Sequence, residues 1–228
     1  MRTWIDSFIN LLFPKCCVVC GGNLAIGEEF ICTRCNVKMP RTNFHLQKDN
    51  EVERRFWGKI SVETATSYFY YSKGSDYRRI LFELKYHGCK ELGEAMGRNM
   101  AAEISSSHFF KEIDLIVPVP LHRNKRESRG YNQSEWIALG ISNATGIPMN
   151  ICGLVRDVAN STQTRKSVFE RWENVEGVFQ NKRPEIFEGK HVLLVDDVLT
   201  TGSTLLSCAT ALNESSDVKI SILTLALA

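Results

Sequence analysis

Two adjacent acids, Asp196 and Asp197, follow the apolar run His191–Val195 and lead into a turn of Thr200, Thr201, Gly202, Ser203 and Thr204. An apolar run of that length suits a strand buried inside a parallel sheet, so its C-terminal end is where a ligand should sit. Leu205, Cys208, Ala209 and Leu212 then recur at helical spacing, which puts the turn at a helix N-terminus whose free N–H groups suit a phosphate. Carboxylates can accept hydrogen bonds from the hydroxyls of a ribose while the turn holds its phosphate, so the pattern is that of a phosphorylated-sugar site. A Walker loop would need a Lys after its second Gly, and none is present. A receiver domain would need a phosphate-accepting Asp on a later strand and further strand and helix units, whereas one helix and the strand DVKISILTLALA follow.

The second constellation is Cys17-Val-Val-Cys20 with Cys32-Thr-Arg-Cys35, two knuckles of the kind that hold tetrahedral zinc. Gly21 and Gly22 let backbone amides turn toward sulfur. Cys16 can also pair with Cys20 at a poorer spacing; Cys17 is taken as the ligand and Cys16 as a packed or spare thiol. Cys89, Cys152 and Cys208 are scattered and are expected as small core residues. A disulfide framework would require an exported chain, but the first residues, MRTWIDSFINLLFP, are interrupted by Asp6 and Asn10 and lack a small-residue cleavage site. No run approaches the ~18 apolar residues of a membrane span, so a cytoplasmic protein is expected. Trp4, Ile5, Phe8, Ile9, Leu12 and Phe13 suggest a short amphipathic helix ended by Pro14, packed on the body.

Positioning these groups requires a full α/β domain. The 228 residues, 43% of them hydrophobic, suffice for one such domain with an appendage, and a formal charge of +2 does not by itself argue for nucleic acid. The polar stretch from Pro40 to Glu53 reads as a linker, dividing a cysteine module at 1–45 from a domain at 46–228. Residues 61–71 read as a strand, Tyr77, Ile80, Leu81 and Leu84 as one face of a helix stopped at Gly88, and 90–105 as another helix. Asp114–Val119 is a buried strand, and Ile137, Gly140, Ile141 and Ala144 mark a helix ended by Gly146. The alternation predicts a parallel sheet flanked by helices. After Val119 comes the basic loop LHRNKRESRGYNQ, with Arg123, Lys125, Arg126 and Arg129 at an adjacent strand end. Tyr131, Asn132 and Gln133 serve equally well there as ligand contacts or as a helix cap.

VLLVDDVLTTGST resembles the phosphoribosyl pyrophosphate (PRPP) signature of type I phosphoribosyltransferases. Together with LKYHG at 84–88, PVPLHRNKRESRGYNQ at 118–133, Gln163, Arg171, Asn174 and the four-cysteine module, the chain resembles the ComF (ComFC/GntX) family along its length. The resemblance implies that Asp196 and Asp197 meet the ribose hydroxyls and that Thr200, Thr201, Gly202, Ser203 and Thr204 cradle the 5′-phosphate. It further implies that Val119, Pro120 and Leu121 occupy the pyrophosphate loop, where backbone amides meet the leaving group, with Arg123 adding charge, and that Mg²⁺ accompanies PRPP. The segment Arg156–Lys166 is the candidate closing loop, with Arg165 reaching inward as a catalytic residue; an ordinary surface loop is the alternative. Glutaminase activity is not expected, because Arg2 follows Met1 and the chain is too short for a second catalytic domain.

Two functions follow from the resemblance. One is a PRPP-binding accessory factor of DNA uptake, working beside a helicase-like ATPase. The other is a phosphoribosyltransferase with an unidentified acceptor, for which no nucleobase-recognising pattern is readable. Arg34, Lys38, Arg41, Arg54, Arg55, Phe56 and Trp57 combine bases and aromatics that suit single-stranded DNA, or that pack the module onto the domain.

Overall fold

Strands β1 (Ala65–Tyr70), β2 (Leu115–Pro118), β5 (His191–Leu199) and β6 (Lys219–Leu227) form one parallel sheet in the order β1–β6–β5–β2. The computed structural model describes residues 15–156 and 178–228, so the expected N-terminal helix and the loop carrying Arg165 lie outside the described residues. The central strands are apolar on both faces because both are covered: Leu193 and Val195 enter one core, Val192 and Leu194 the other. Short stretches cover the edges of the sheet. Arg41 pairs antiparallel with Phe69 on β1, and Met149 pairs with Ile116 on β2.

One face is packed by α3 (Arg78–Tyr86), α4 (Lys90–Ile104) and α6 (Gln133–Thr145), and the cysteine module, which contains the short helix α1 (Thr33–Lys38), joins that core through Cys17, Val19, Cys35 and Met39. Helices α4 and α6 approach backbone to backbone. A Cβ at Gly97 would lie 2.2 Å from the Ile137 carbonyl oxygen, and one at Gly140 2.1 Å from that of Glu94, so only glycine fits either position. The opposite face is covered by α7 (Ser203–Leu212) and by the antiparallel pair β3 (Leu154–Arg156) and β4 (Phe179–Asn181), which the alternating pattern did not foreshadow.

Several expectations are corrected. The first strand is shorter than 61–71, beginning at Ala65. The stretch 40–53 is packed structure, not a linker. Thr42, Phe44, Asn50 and Val52 are buried, and Asn50 caps α2 (Glu51–Arg54) in a reciprocal box with Glu53. The basic loop after β2 coils into α5 (Arg123–Arg129), ended by Gly130 at φ 82°. Cys208 is buried as expected, but Cys152 is exposed and Cys89 only partly covered.

Candidate functional site

β5 does not stop before the acids; it runs through them to Leu199. Both are therefore held by the sheet and nearly enclosed, Asp196 at 9% and Asp197 at 4% exposure. Asp196 Oδ1 accepts the Ser134 hydroxyl at 2.9 Å and the Asp197 backbone N–H at 2.9 Å. Burial, and after it the Asp197 charge, raise Asp196 to about 7 in spite of those two bonds and of Lys85. Lys85 Nζ lies 2.9 Å from Asp197 Oδ2. That separation makes an ion pair, and among the described residues no other donor reaches Oδ2. A buried carboxylate oxygen with an unused lone pair is what a sugar hydroxyl would satisfy.

The turn after β5 brings the phosphate-binding candidates to the same edge. Gly202, at φ 82°, is the residue before α7, a conformation costly for any side chain. The Thr201 and Ser203 hydroxyls lie 3.1 Å apart, and Thr200, Gly202, Ser203 and Thr204 line a small void shared with Asp196. Ring atoms of Phe56 would be 3.5 Å from a Cβ on Gly202, so Phe56, 1% exposed, backs the turn. Trp57 beside it is 56% exposed, with the Arg54 guanidinium 5.9 Å from its ring centroid.

The segment after β2 lies beside β5 because the two strands pair in parallel. Its amides are not equivalent. The Val119 N–H is committed to the Val195 carbonyl at 2.9 Å and Pro120 has none, which leaves Leu121 as the donor of the three. Asn132 joins this segment to α6: its Nδ2 donates to the Val119 carbonyl at 2.9 Å, and its Oδ1 accepts the Ser134 N–H at 3.1 Å. The turn at 131–133 is thus a cap, and through Ser134 it also steadies Asp196. Arg123 is far exposed and pairs with Glu127 at 2.8 Å, while Arg126 pairs with Glu135 at 2.9 Å. Arg165 lies outside the described residues.

Lys85, Ser134 and Asn132 are the members of this site to which sequence reasoning gave no role at the acids. Lys85 sits inside the LKYHG motif, and its charge near a helix end was the one available signal. Beside it opens a groove of about 700 Å³, lined among others by Tyr71, Phe82, Tyr86 and Thr200.

The cysteine knuckles form a separate cluster. The sulfurs of Cys17, Cys20, Cys32 and Cys35 all lie within 4.8 Å of one another, with Cys20 and Cys32 at 3.8 Å, and Cys16 is not among them. Sulfurs about 2.3 Å from a tetrahedral zinc would be spaced at nearly this distance, so the donor set fits. Burial raises the Cys17 thiol, but the backbone N–H groups of Cys20, Cys32 and Val19 outweigh it and bring the thiol down to about 7. Among the described residues no helix is long and apolar enough to cross a membrane.

Comparison with known proteins adds to this geometry. Residues 89–227 match the phosphoribosyl transferase domain family. The chain is 26% identical to the DNA utilization protein YhgH of Escherichia coli K12 over 215 residues, 87% of this chain and 91% of that protein. It is 28% identical to the competence protein ComFC of Bacillus subtilis, covering 93% of this chain and 83% of that one. It is 25% identical to competence protein F of Haemophilus influenzae, covering 83% and 86%. Among solved structures, the glutamine PRPP amidotransferase of B. subtilis superposes loosely, with a TM-score of 0.39 and 25% identity over 60% of this chain. The match spans 26% of that enzyme.

Proposed function

We propose, on the premise that the chain belongs to the phosphoribosyl transferase domain family, that it binds PRPP and acts as an accessory factor of DNA uptake. The observation that carries the ligand is the enclosed acid pair, with Asp197 Oδ2 partnered by Lys85 alone, beside a glycine-capped helix N-terminus. In this reading Asp196 and Asp197 accept from the ribose hydroxyls. Thr200, Thr201, Gly202, Ser203 and Thr204 hold the 5′-phosphate through hydroxyls and the free amides of α7. The Leu121 amide and Arg123 face the pyrophosphate, Arg123 after leaving Glu127, and Arg165 closes over it. Mg²⁺ arriving with PRPP would neutralise its phosphate oxygens. The role in DNA uptake rests on the names of the competence and DNA utilization relatives.

The four cysteines hold structural zinc in this reading, and the boundary between module and domain falls near residue 45. We place the protein in the cytoplasm, beside a helicase-like ATPase, with single-stranded DNA meeting Arg54, Arg55 and exposed Trp57. Phe56 drops out of that surface because it is buried.

Calorimetry of the zinc-loaded protein with PRPP and Mg²⁺ tests the reading, with saturable one-to-one binding expected; no heat and no competition by pyrophosphate would overturn it. The groove beside Lys85 favours a second reading, phosphoryl-sugar transfer to an acceptor seated there. Release of pyrophosphate in the presence of some acceptor would decide for it.

A further inference from the structure

Helix α3 touches both polar centres of the molecule. At its N-terminal end the Tyr77 hydroxyl donates to the carbonyl of Cys35 at 2.8 Å, and Arg79 Nη1 donates to the carbonyl of Val19 at 3.0 Å. Val19 lies between the two cysteines of the first knuckle, and Cys35 is the last of the four. In its final turn, Lys85 stands 2.9 Å from Asp197, and the Leu84 carbonyl beside it accepts the Tyr131 hydroxyl. Between these ends Ile80, Leu81 and Leu84 are buried in the core shared with the module. Nine residues rising about 1.5 Å each make a strut on the order of 12 Å long.

So short a helix is not stable by itself and keeps its position through tertiary anchors. Two of those anchors are carbonyls of the cysteine knuckles, whose places depend on the knuckles being closed. We infer that α3 couples the cysteine module to the ribose site: with the knuckles closed on a metal ion, Tyr77 and Arg79 fix the helix so that Lys85 is held against Asp197. Opening the knuckles frees the carbonyls of Val19 and Cys35, and Lys85 loses its position. The acids then lose the cation that offsets their mutual repulsion, and the ionised pair that accepts ribose hydroxyls becomes costlier to form. This regulation rests on the PRPP reading of the site and adds a direction to it, since metal in the module strengthens PRPP binding.

Coupling between two binding equilibria is reciprocal. PRPP must therefore raise the zinc affinity of the module by the same factor, about tenfold for coupling of ordinary size. The test is equilibrium competition for zinc between the full-length protein and a chromogenic chelator, with and without saturating PRPP and Mg²⁺. The wild type is compared with a Tyr77→Phe/Arg79→Met variant, which keeps all four cysteines and both acids. The expected result is a PRPP-dependent rise in zinc affinity in the wild type that disappears in the variant. No rise in the wild type, or an equal rise in the variant, would overturn the coupling. Calorimetry on the same zinc-loaded samples separates this from failure of the ligand reading: PRPP that binds without moving zinc sinks the coupling alone, and PRPP that does not bind sinks both.

Discussion

The cysteine module and the acid pair of β5 solve the same problem by different means. Each gathers groups that repel one another when ionised. The module draws its four sulfurs from one stretch of chain, Cys17 to Cys35, and the backbone amides that turn toward Cys17 come from the same knuckles. The acids are adjacent in sequence, but what tempers them is brought from far away: Lys85 from α3 and Ser134 from the start of α6. A site built locally is closed by its own turns, whereas a site assembled from distant elements is only as well ordered as the packing that delivers them.

The largest break in that comparison is at the module. Cys35→Ser removes one thiolate of four, and because metal binding and folding of such a module are one free energy, zinc content should fall from one per chain to near zero. Metal analysis alongside hydrogen exchange over residues 15–40 checks this; full zinc retention would mean that another residue completes the set. Next is Asp196→Asn with Asp197→Asn. Asn keeps an acceptor oxygen but loses the charge, which lowers each hydrogen bond by about 1 kcal/mol, so the double change should weaken PRPP binding by about thirtyfold with the fold intact. Calorimetry and circular dichroism measure the two halves of that statement.

Lys85→Met sharpens the comparison, since it leaves the acids and removes their distant partner. PRPP affinity should drop about tenfold at neutral pH, in the range of pairwise interaction energies for residues in contact. The pH profile is the more telling readout. Asp196 is raised to about 7 by burial and by Asp197, so PRPP affinity should rise as pH passes through that value and the carboxylate forms. Without Lys85 the midpoint should move higher; an unmoved midpoint would show that Lys85 only packs. The same group has the opposite effect on stability. A carboxyl whose folded pKa lies above its unfolded one favours the fold at low pH, and this contribution is lost as pH rises from about 4 through about 7. The smallest effect belongs to Arg54→Ala/Arg55→Ala. Affinity for single-stranded DNA should become less steep in salt by up to two phosphate contacts while PRPP binding is unaffected. A filter-binding series in salt reads the slope.

What was legible in the sequence follows the local-versus-assembled division. The Cys-x2-Cys pairs and the Asp-Asp-x3-Thr-Gly-Ser-Thr turn carry their geometry in consecutive residues, so types and spacing sufficed. The sheet and its main helices were legible from apolar periodicity, except where polar composition misled. The stretch 40–53 looked like a linker because its few apolar residues are irregularly spaced, yet Thr42, Phe44 and Val52 pack against β1 and its neighbours. Helix α5 was hidden by its charges: Arg123 pairs with Glu127 along the exposed helix, and Arg126 pairs with Glu135 of α6. Lys85 and Ser134 were invisible as site residues because no spacing in the chain records that α3 ends and α6 begins beside β5.

The crossing of α4 and α6 limits how this chain can vary. At Gly140 a single methyl group would press on the backbone of Glu94 and Arg98, and backbone cannot swing aside as a side chain can. The smallest accommodation is a tilt of α6, and six residues upstream, about 9 Å along the axis, that tilt arrives at Ser134. A methyl inserted there works as a shim under one end of a lever. Its displacement is felt at the hydroxyl that meets Asp196, so drift at a position that touches no ligand is filtered by the site all the same.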